Sequence, residues 1–145
     1  MKGYLNMPEQ TASVLKGGWL LTGDAGYLSE DGFLYIVDRI KDMIVSGGEN
    51  VYPAEVENVI LAHPAVSEVA VSGLPDEKWG ETTCAIVTSS DKSVDEDAII
   101  AHCEEKLSRY KLPRKVIFVD TIPRNPSGKI LKRVLRERYP GKAPA

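Results

Sequence analysis

Val66-Ser67-Glu68-Val69-Ala70-Val71-Ser72-Gly73-Leu74 and Thr82-Thr83-Cys84-Ala85-Ile86-Val87-Thr88 are the stretches on which the fold turns. Both are apolar and rich in β-branched residues, which fit a pleated surface better than a helix, and both read as strands. The loop between them is Pro75-Asp76-Glu77-Lys78-Trp79-Gly80. Upstream, a helix is expected from Pro53, since the missing N–H of proline is harmless at the first helical position. Val56, Val59 and Ile60 fall on one face of it and Pro64 ends it. Downstream, Ser93-Val94-Asp95-Glu96 has the form of a capping box, with Ser93 as N-cap and Glu96 three residues later. Ile99, Cys103 and Leu107 then supply the buried stripe of a helix that stops before Pro113. Val116 to Val119 is a further strand. A last helix is expected from near Lys129, burying Ile130, Leu131, Val134 and Leu135 while Lys132, Arg133 and Arg136 face out. Strands and helices alternating over short loops predict a small α+β sandwich.

Toward the N-terminus, Met43-Ile44-Val45 is a short strand that stops at Ser46-Gly47-Gly48, where backbone freedom is highest. Residues Ala25 to Asp38 read as a β-hairpin, with Tyr27-Leu28 and Phe33-Leu34-Tyr35-Ile36-Val37 flanking the turn Ser29-Glu30-Asp31-Gly32. Residues 3–18 show weak periodicity and scattered polar residues, and Met1 starts in mid-pattern. That segment reads as the tail of something that precedes it.

At 145 residues, with 43% hydrophobic and 27% charged side chains, the chain has the balance of a folded soluble protein and not of a disordered tail. Its longest apolar runs are a few residues, such as Ala85-Ile86-Val87, too short for a membrane span. No signal-peptide core follows Met1-Lys2-Gly3-Tyr4, and two cysteines, Cys84 and Cys103, are too few for a disulfide framework or a zinc site. The expected compartment is the cytoplasm. The net charge of −3 conceals a split: from Lys106 to Lys142 twelve Lys and Arg stand against two acids, leaving six against nineteen elsewhere. Such a basic third either meets an anionic partner or lies as a solvated helix on an acidic body.

Three clusters can carry chemistry. In Leu21-Thr22-Gly23-Asp24 the glycine lets backbone approach a ligand and the carboxylate suits paired sugar hydroxyls, although Asp after Gly also makes an ordinary turn. Asp38-Arg39-Ile40-Lys41-Asp42 and then Ser46-Gly47-Gly48-Glu49-Asn50 place four charges at a strand edge followed by a double glycine. This reads as a mobile junction, or as an edge strand defended by charge. In Pro123-Arg124-Asn125-Pro126-Ser127-Gly128-Lys129-Ile130 a lysine just past a Ser-Gly turn can be held toward an anion. It is not a Walker A loop, which needs Gly at position 123 and Ser or Thr at 130. His63 and His102 have no partner at metal-ligand spacing, so no metal site is expected; His102 and Cys103, adjacent on a helix, diverge and make no nucleophile pair. Trp79 either stacks on a base or packs under its loop.

Taken in order, Leu21-Thr22-Gly23-Asp24, Gly32-Phe33-Leu34, Asp38-Arg39-Ile40-Lys41-Asp42, Gly47-Gly48-Glu49-Asn50-Val51-Tyr52-Pro53-Ala54-Glu55-Val56-Glu57 and Asn125-Pro126-Ser127-Gly128-Lys129 resemble the adenylate-forming superfamily. More narrowly, they resemble the C-terminal end of acyl-CoA synthetases, from Gly3 to about Arg138. The resemblance implies residues 1–40 as the end of a large N-terminal AMP-binding domain, including the β-hairpin. Residues 41–145 are then a mobile α+β C-terminal domain, hinged at Lys41, where the family usually carries Asp or Lys. Position 38 is Asp where many members have Gly. The implied reaction joins a carboxylic acid, fatty or aryl, to CoA through an acyl-adenylate, consuming ATP with Mg2+. Asp24 would bind the ribose hydroxyls with help from Arg39, and Lys129 would serve adenylation. After a domain rotation, Gly47, Gly48 and Glu49 would line the pantetheine channel. Trp79, Tyr110, Lys111 and Arg114 lie where some members contact the CoA nucleotide, with Lys111 or Arg114 on its 3′-phosphate. The phosphate-binding loop, acid pocket and magnesium glutamate of the family belong upstream, so this chain is expected to be a C-terminal fragment, inactive without its N-terminal domain.

Two other readings stand beside this one. The chain would be an adenylation domain loading a carrier protein, against which Val45-Ser46-Gly47-Gly48-Glu49-Asn50 resembles the CoA ligases more closely. Or it would be a standalone anion- or nucleic-acid-binding module; no helix-turn-helix, zinc finger or RNA-binding aromatic signature supports that, so no nucleic-acid partner is expected.

Overall fold

The computed structural model describes residues 1–140, which separate into two units, Met1–Lys41 and the residues from Asp42 on. Lys142 and the end of the 41–145 span lie outside the described residues.

The first unit opens with helix α1 (Pro8–Val14), followed by the two-residue strands β1 (Leu15–Lys16) and β2 (Trp19–Leu20), paired antiparallel. Helix α1 buries none of its side chains, so there was no apolar stripe for periodicity to reveal. The expected hairpin is present as β3 (Asp24–Leu28) and β4 (Leu34–Arg39), with a bulge at Ala25/Gly26. Ser29 closes its turn by accepting the Phe33 N–H on Oγ.

The second unit follows a 3-10 turn at Ile40–Asp42. It contains β5 (Ile44–Ser46), β6 (Glu49–Val51), α2 (Pro53–Leu61), β7 (Val66–Asp76), β8 (Gly80–Ser89), α3 (Glu96–Glu104), a 3-10 turn at Arg109–Lys111, β9 (Lys115–Phe118) and α4 (Lys132–Arg138). Strand β7 pairs antiparallel along β8, so β5 and β9 share the other edge of β8, at Gly80 and at Cys84–Val87. Strand β9 runs parallel to β8, and β6 lies outside β5.

The central strands are covered on both faces. Val69, Val71, Ala85 and Val87 pack with Val56 and Ile60 of α2 and Ile99 and Cys103 of α3. Ala70, Leu74, Cys84 and Ile86 pack on the opposite side with Leu135 of α4 and with Ile122 in the segment before it. Two-sided burial is why these strands read as continuous apolar runs and not as alternating ones.

Several local expectations are corrected. Strands β7 and β8 extend to Asp76 and from Gly80, so Pro75 lies in a strand, which an edge strand tolerates. The remaining turn is held by Asp76 Oδ1, which accepts the N–H groups of Lys78 and Trp79. The α3 N-cap is Asp95, not Ser93: Asp95 Oδ1 accepts the Ala98 N–H at 2.9 Å, while the Ser93 hydroxyl donates to Asp91. Glu96 reaches instead to the Val116 N–H. Helix α3 stops before Pro113 as expected, but it ends at Glu104, so Leu107 packs against the core from beyond the helix. Gly47 and Gly48 both have positive φ and close a two-residue β5–β6 hairpin. The last helix starts at Lys132, not Lys129, and Lys132 and Arg136 turn inward to acids of the same unit.

Candidate functional site

In the first unit, the hairpin register sets Asp24 opposite Arg39. Arg39 Nε lies 2.9 Å from Asp24 Oδ1 and its Nη1 donates to the Thr22 carbonyl at 2.9 Å. Gly23, with φ of 74°, lets the chain turn so that its carbonyl accepts the Ile40 N–H. These residues and Lys41 line an open pocket of about 710 Å³ whose remaining wall is Val14, Leu20 and Leu21. The result is an oriented carboxylate, partly exposed and held by a guanidinium, beside an apolar surface. That arrangement can accept a pair of hydroxyls while a flat ring packs alongside. Lys41 is exposed and is the last residue of its unit.

In the second unit the predicted residues fall at two stations. At the first, Gly47 N–H donates to the Trp79 carbonyl at 2.9 Å, and the indole lies against Gly47. Arg114 Cζ sits 4.6 Å from the centroid of the Trp79 ring and Lys78 Nζ 4.8 Å from it. Gly48 and Glu49 are exposed beside them. Lys111 Nζ is 2.6 and 2.8 Å from the two oxygens of Glu55 and 5.6 Å from the Tyr110 ring centroid. The hydrogen bond to Glu55 holds the Lys111 pKa above the ordinary lysine range. Glu55 was missed as a partner. Its only sequence signal was its place in the Pro53-Ala54-Glu55 helix start.

The second station is the turn bearing Lys129. Asn125 Oδ1 accepts three donors, the N–H and hydroxyl of Ser127 and the N–H of Lys129, at 2.8–3.1 Å. Gly128 has φ of 84°, and Arg124 bridges to Ile130 across the neck of the turn. The side chain of Lys129 is exposed. Arg124 ties the turn to Glu68 near the start of β7, whereas Trp79 follows the end of that strand. From Glu68 to Asp76 the strand spans ~26 Å at about 3.3 Å per residue. The two stations therefore stand at opposite ends of one rigid strand.

Over residues 55–129, just over half its length, the chain matches the AMP-binding enzyme C-terminal domain. It belongs to that family. Among relatives of this AMP-binding domain, the long-chain-fatty-acid–CoA ligase FadD13 of Mycobacterium tuberculosis (strain H37Rv) is 58% identical over 144 residues, covering 99% of this chain and 29% of the relative. The 2-succinylbenzoate–CoA ligase of Geobacillus kaustophilus is 52% identical over 140 residues, 96% of this chain and 29% of the relative. In structure, the o-succinylbenzoate CoA synthetase of Bacillus subtilis, in complex with its acyl-adenylate intermediate, superposes with a TM-score of 0.89 at 45% identity, covering 98% and 29% of the two chains. The chain thus spans less than a third of the length of the curated relatives it matches.

Five of the basic residues in the C-terminal third of this AMP-binding domain are answered from within. Lys111 pairs with Glu55, Arg124 with Glu68, Lys132 with Glu57 and Arg136 with Asp42, each base reaching an acid from the earlier, acidic part of the chain. Arg133 pairs with Glu137 on α4. Glu57 Oε1 also accepts the Val71 N–H on the outer edge of β7. Both cysteines are buried, Cys84 on the α4 side of the sheet and Cys103 on the other, and burial pushes each thiol up to about 11. Among the described residues no group of three metal-ligating side chains converges, and no helix is long and apolar enough to cross a membrane.

Proposed function

We propose that this chain is the C-terminal portion of a cytoplasmic, ATP-dependent carboxylic acid–CoA ligase of the fatty acyl-CoA synthetase kind. Residues 1–40 end the large nucleotide-binding domain, and residues 41–145 form a small domain that turns about Lys41. The observation that carries the reading is the separation of the two stations along β7. A lysine turn tied to Glu68 and a glycine–tryptophan–arginine surface toward the far end of the same strand, whose Glu68–Asp76 stretch is ~26 Å long, cannot face one reaction centre together. A two-step reaction uses them in turn.

In the first step a substrate carboxylate oxygen attacks the α-phosphorus of ATP, and the bond to pyrophosphate breaks. Asp24, oriented by Arg39, receives the ribose hydroxyls. Two anions meet here, and the Lys129 ammonium offsets the charge that builds on the α-phosphoryl oxygens. One such fixed donor is worth about 10²–10³ in rate. In the second step the small domain has rotated, the CoA thiol adds to the acyl carbonyl, and AMP leaves with its oxygen. Gly47 and Gly48 admit the pantetheine arm, while Trp79 and Arg114 meet the nucleotide of CoA. Mg2+ would accompany ATP and neutralise its phosphates. The described residues hold no cluster of ligands for it, so its ligands are assigned to the upstream domain. The acid pocket, too, is assigned to the upstream domain, so the chain by itself should activate no acid.

The test is Lys129→Ala in the full-length enzyme, with each half-reaction followed separately. Acid-dependent exchange of pyrophosphate into ATP should fall by about 10²–10³, while preformed acyl-adenylate is still converted by CoA at a near-normal rate. Equal losses in both half-reactions would refute the role given to Lys129.

A further inference from the structure

The turn that carries Lys129 is fixed at one peptide group. The carbonyl of Gly128 accepts Arg124 Nη1 at 2.8 Å, and the Lys129 N–H, on the same peptide plane, donates to Asn125 Oδ1 at 2.8 Å. The Lys129 carbonyl in turn accepts the Asn125 N–H at 2.9 Å. Both polar ends of the Gly128–Lys129 peptide are therefore gripped, which sets the direction in which the lysine stem leaves the backbone.

Of the two grips, Asn125 is local to the turn and moves with it. Arg124 is not: its Nη2 lies 3.0 Å from Glu68 Oε1, on a strand paired with β8 without interruption from Glu68 to Asp76, just after a bulge at Val66/Glu68. The remaining polar anchors of this segment on β7, Lys132 through Glu57 to Val71 and Arg136 to Ser72, act beyond Lys129, at α4. Glu68 is the only carboxylate among the described residues shown to tie the turn itself to the sheet.

We propose that Glu68 is a positioning residue for Lys129, acting through Arg124 and the Gly128–Lys129 peptide. Acid activation then depends on it and thioester formation does not. The proposal rests on the adenylation role given above to Lys129. Displacing a reacting or stabilising group by about 1 Å costs on the order of a hundredfold in rate, and partial loosening of one anchor costs a fraction of that. Both members of the Arg124–Glu68 pair are about two-fifths exposed, so the pair adds little to global stability and its loss leaves a folded protein.

The experiment uses the full-length synthetase and four variants: Glu68→Gln, Arg124→Lys, Lys129→Ala and the double variant Glu68→Gln/Lys129→Ala. Lysine at 124 keeps the charge but has no fork with which to hold Gly128 and Glu68 at once. Pyrophosphate exchange reads the first half-reaction, and consumption of preformed acyl-adenylate by CoA reads the second. Glu68→Gln and Arg124→Lys should each lower the exchange kcat on the order of tenfold, with little change in KM for ATP, while the second half-reaction stays within about twofold. In the Lys129→Ala background, Glu68→Gln should add no further loss, because the group it positions is gone. The inference is overturned if Glu68→Gln leaves exchange unchanged, lowers both half-reactions alike, or costs the same factor with and without Lys129. If Lys129→Ala itself leaves exchange intact while the others behave as wild type, the adenylation reading fails and takes this inference with it.

Discussion

Gly47 and Trp79 touch so closely that a Cβ on residue 47 would lie 2.7 Å from a ring carbon of the indole, closer than such atoms approach in folded proteins. Gly47 also sits at φ of 61°, whereas Gly48 sits at 87° with nothing within 4 Å of a built Cβ. The pair separates two costs of replacing glycine. Gly48→Ala should lose only the backbone term, about 1 kcal/mol. Gly47→Ala adds displacement of the indole from its contact with Gly47, for a total of about 2–3 kcal/mol. Urea unfolding gives the two values. The fluorescence of Trp79, read in a Trp19→Phe background because Trp19 is exposed, should shift for Gly47→Ala alone. Equal costs and unchanged spectra in both variants would refute the contact.

Lys111 and Arg114 are equivalent in sequence as candidates for a phosphate of CoA, and their partners in the fold separate them. Lys111 is chelated by both oxygens of Glu55, while Arg114 lies over an aromatic ring with no carboxylate ion pair among the described residues. A guanidinium on an aromatic face is held by about 0.5–1 kcal/mol at an exposed site and is easily drawn to an anion. Arg114→Ala in the full-length enzyme should therefore raise KM for CoA on the order of tenfold, as expected for losing one charge-assisted hydrogen bond. Lys111→Ala should change that KM by about twofold at most and lower stability instead. Steady-state kinetics with CoA varied would reverse the assignment if Lys111→Ala had the larger effect on KM.

What could be read in advance follows from where each signal lives. The strands at Val66 and Thr82 are buried on both faces, and such burial writes itself into consecutive residues. The Pro53 helix likewise carries its start signal and its stripe of Val56 and Ile60 locally. Helix α1 has no buried face, and β6 is three residues behind a glycine pair, so neither leaves a periodic trace. Ser93 lost its capping role to Asp95 because Asp91, two residues upstream, took its hydroxyl. The inward turn of Lys132 and Arg136 was illegible for another reason: Glu57 and Asp42 lie far off in sequence, and only the assembled sheet brings them near. The same holds at the candidate site. Asp24 and Arg39 were each visible as residues, but their pairing depends on the bulged register of the hairpin. The acidic bias of the earlier chain, which composition alone left without a purpose, supplies partners for four residues of the basic third.

The two thiols give the chain a stability limit at alkaline pH. Burial raises Cys84 and Cys103 to about 11, against an ordinary value of 9.0. Between these values the unfolded chain releases its thiol protons while the folded chain keeps them, so the unfolded state binds fewer protons and stability falls as pH rises. Below about pH 9 both states are protonated and the term is absent. Lys111 acts in the same direction. Its pKa is raised by Glu55, so its contribution is present below the ordinary lysine value and is lost as pH rises through the folded one. Urea midpoints should accordingly be flat from neutrality to about pH 9 and decline above it. The double variant Cys84→Ala/Cys103→Ala, less stable at neutral pH because each change leaves a small cavity, should show a shallower decline. At pH 8, a thiol reagent should label neither cysteine in folded protein and both in urea, since thiolate reacts and thiol does not. Rapid labelling of either cysteine without denaturant, or a decline as steep in the double variant as in the parent, would remove the thiols as its cause.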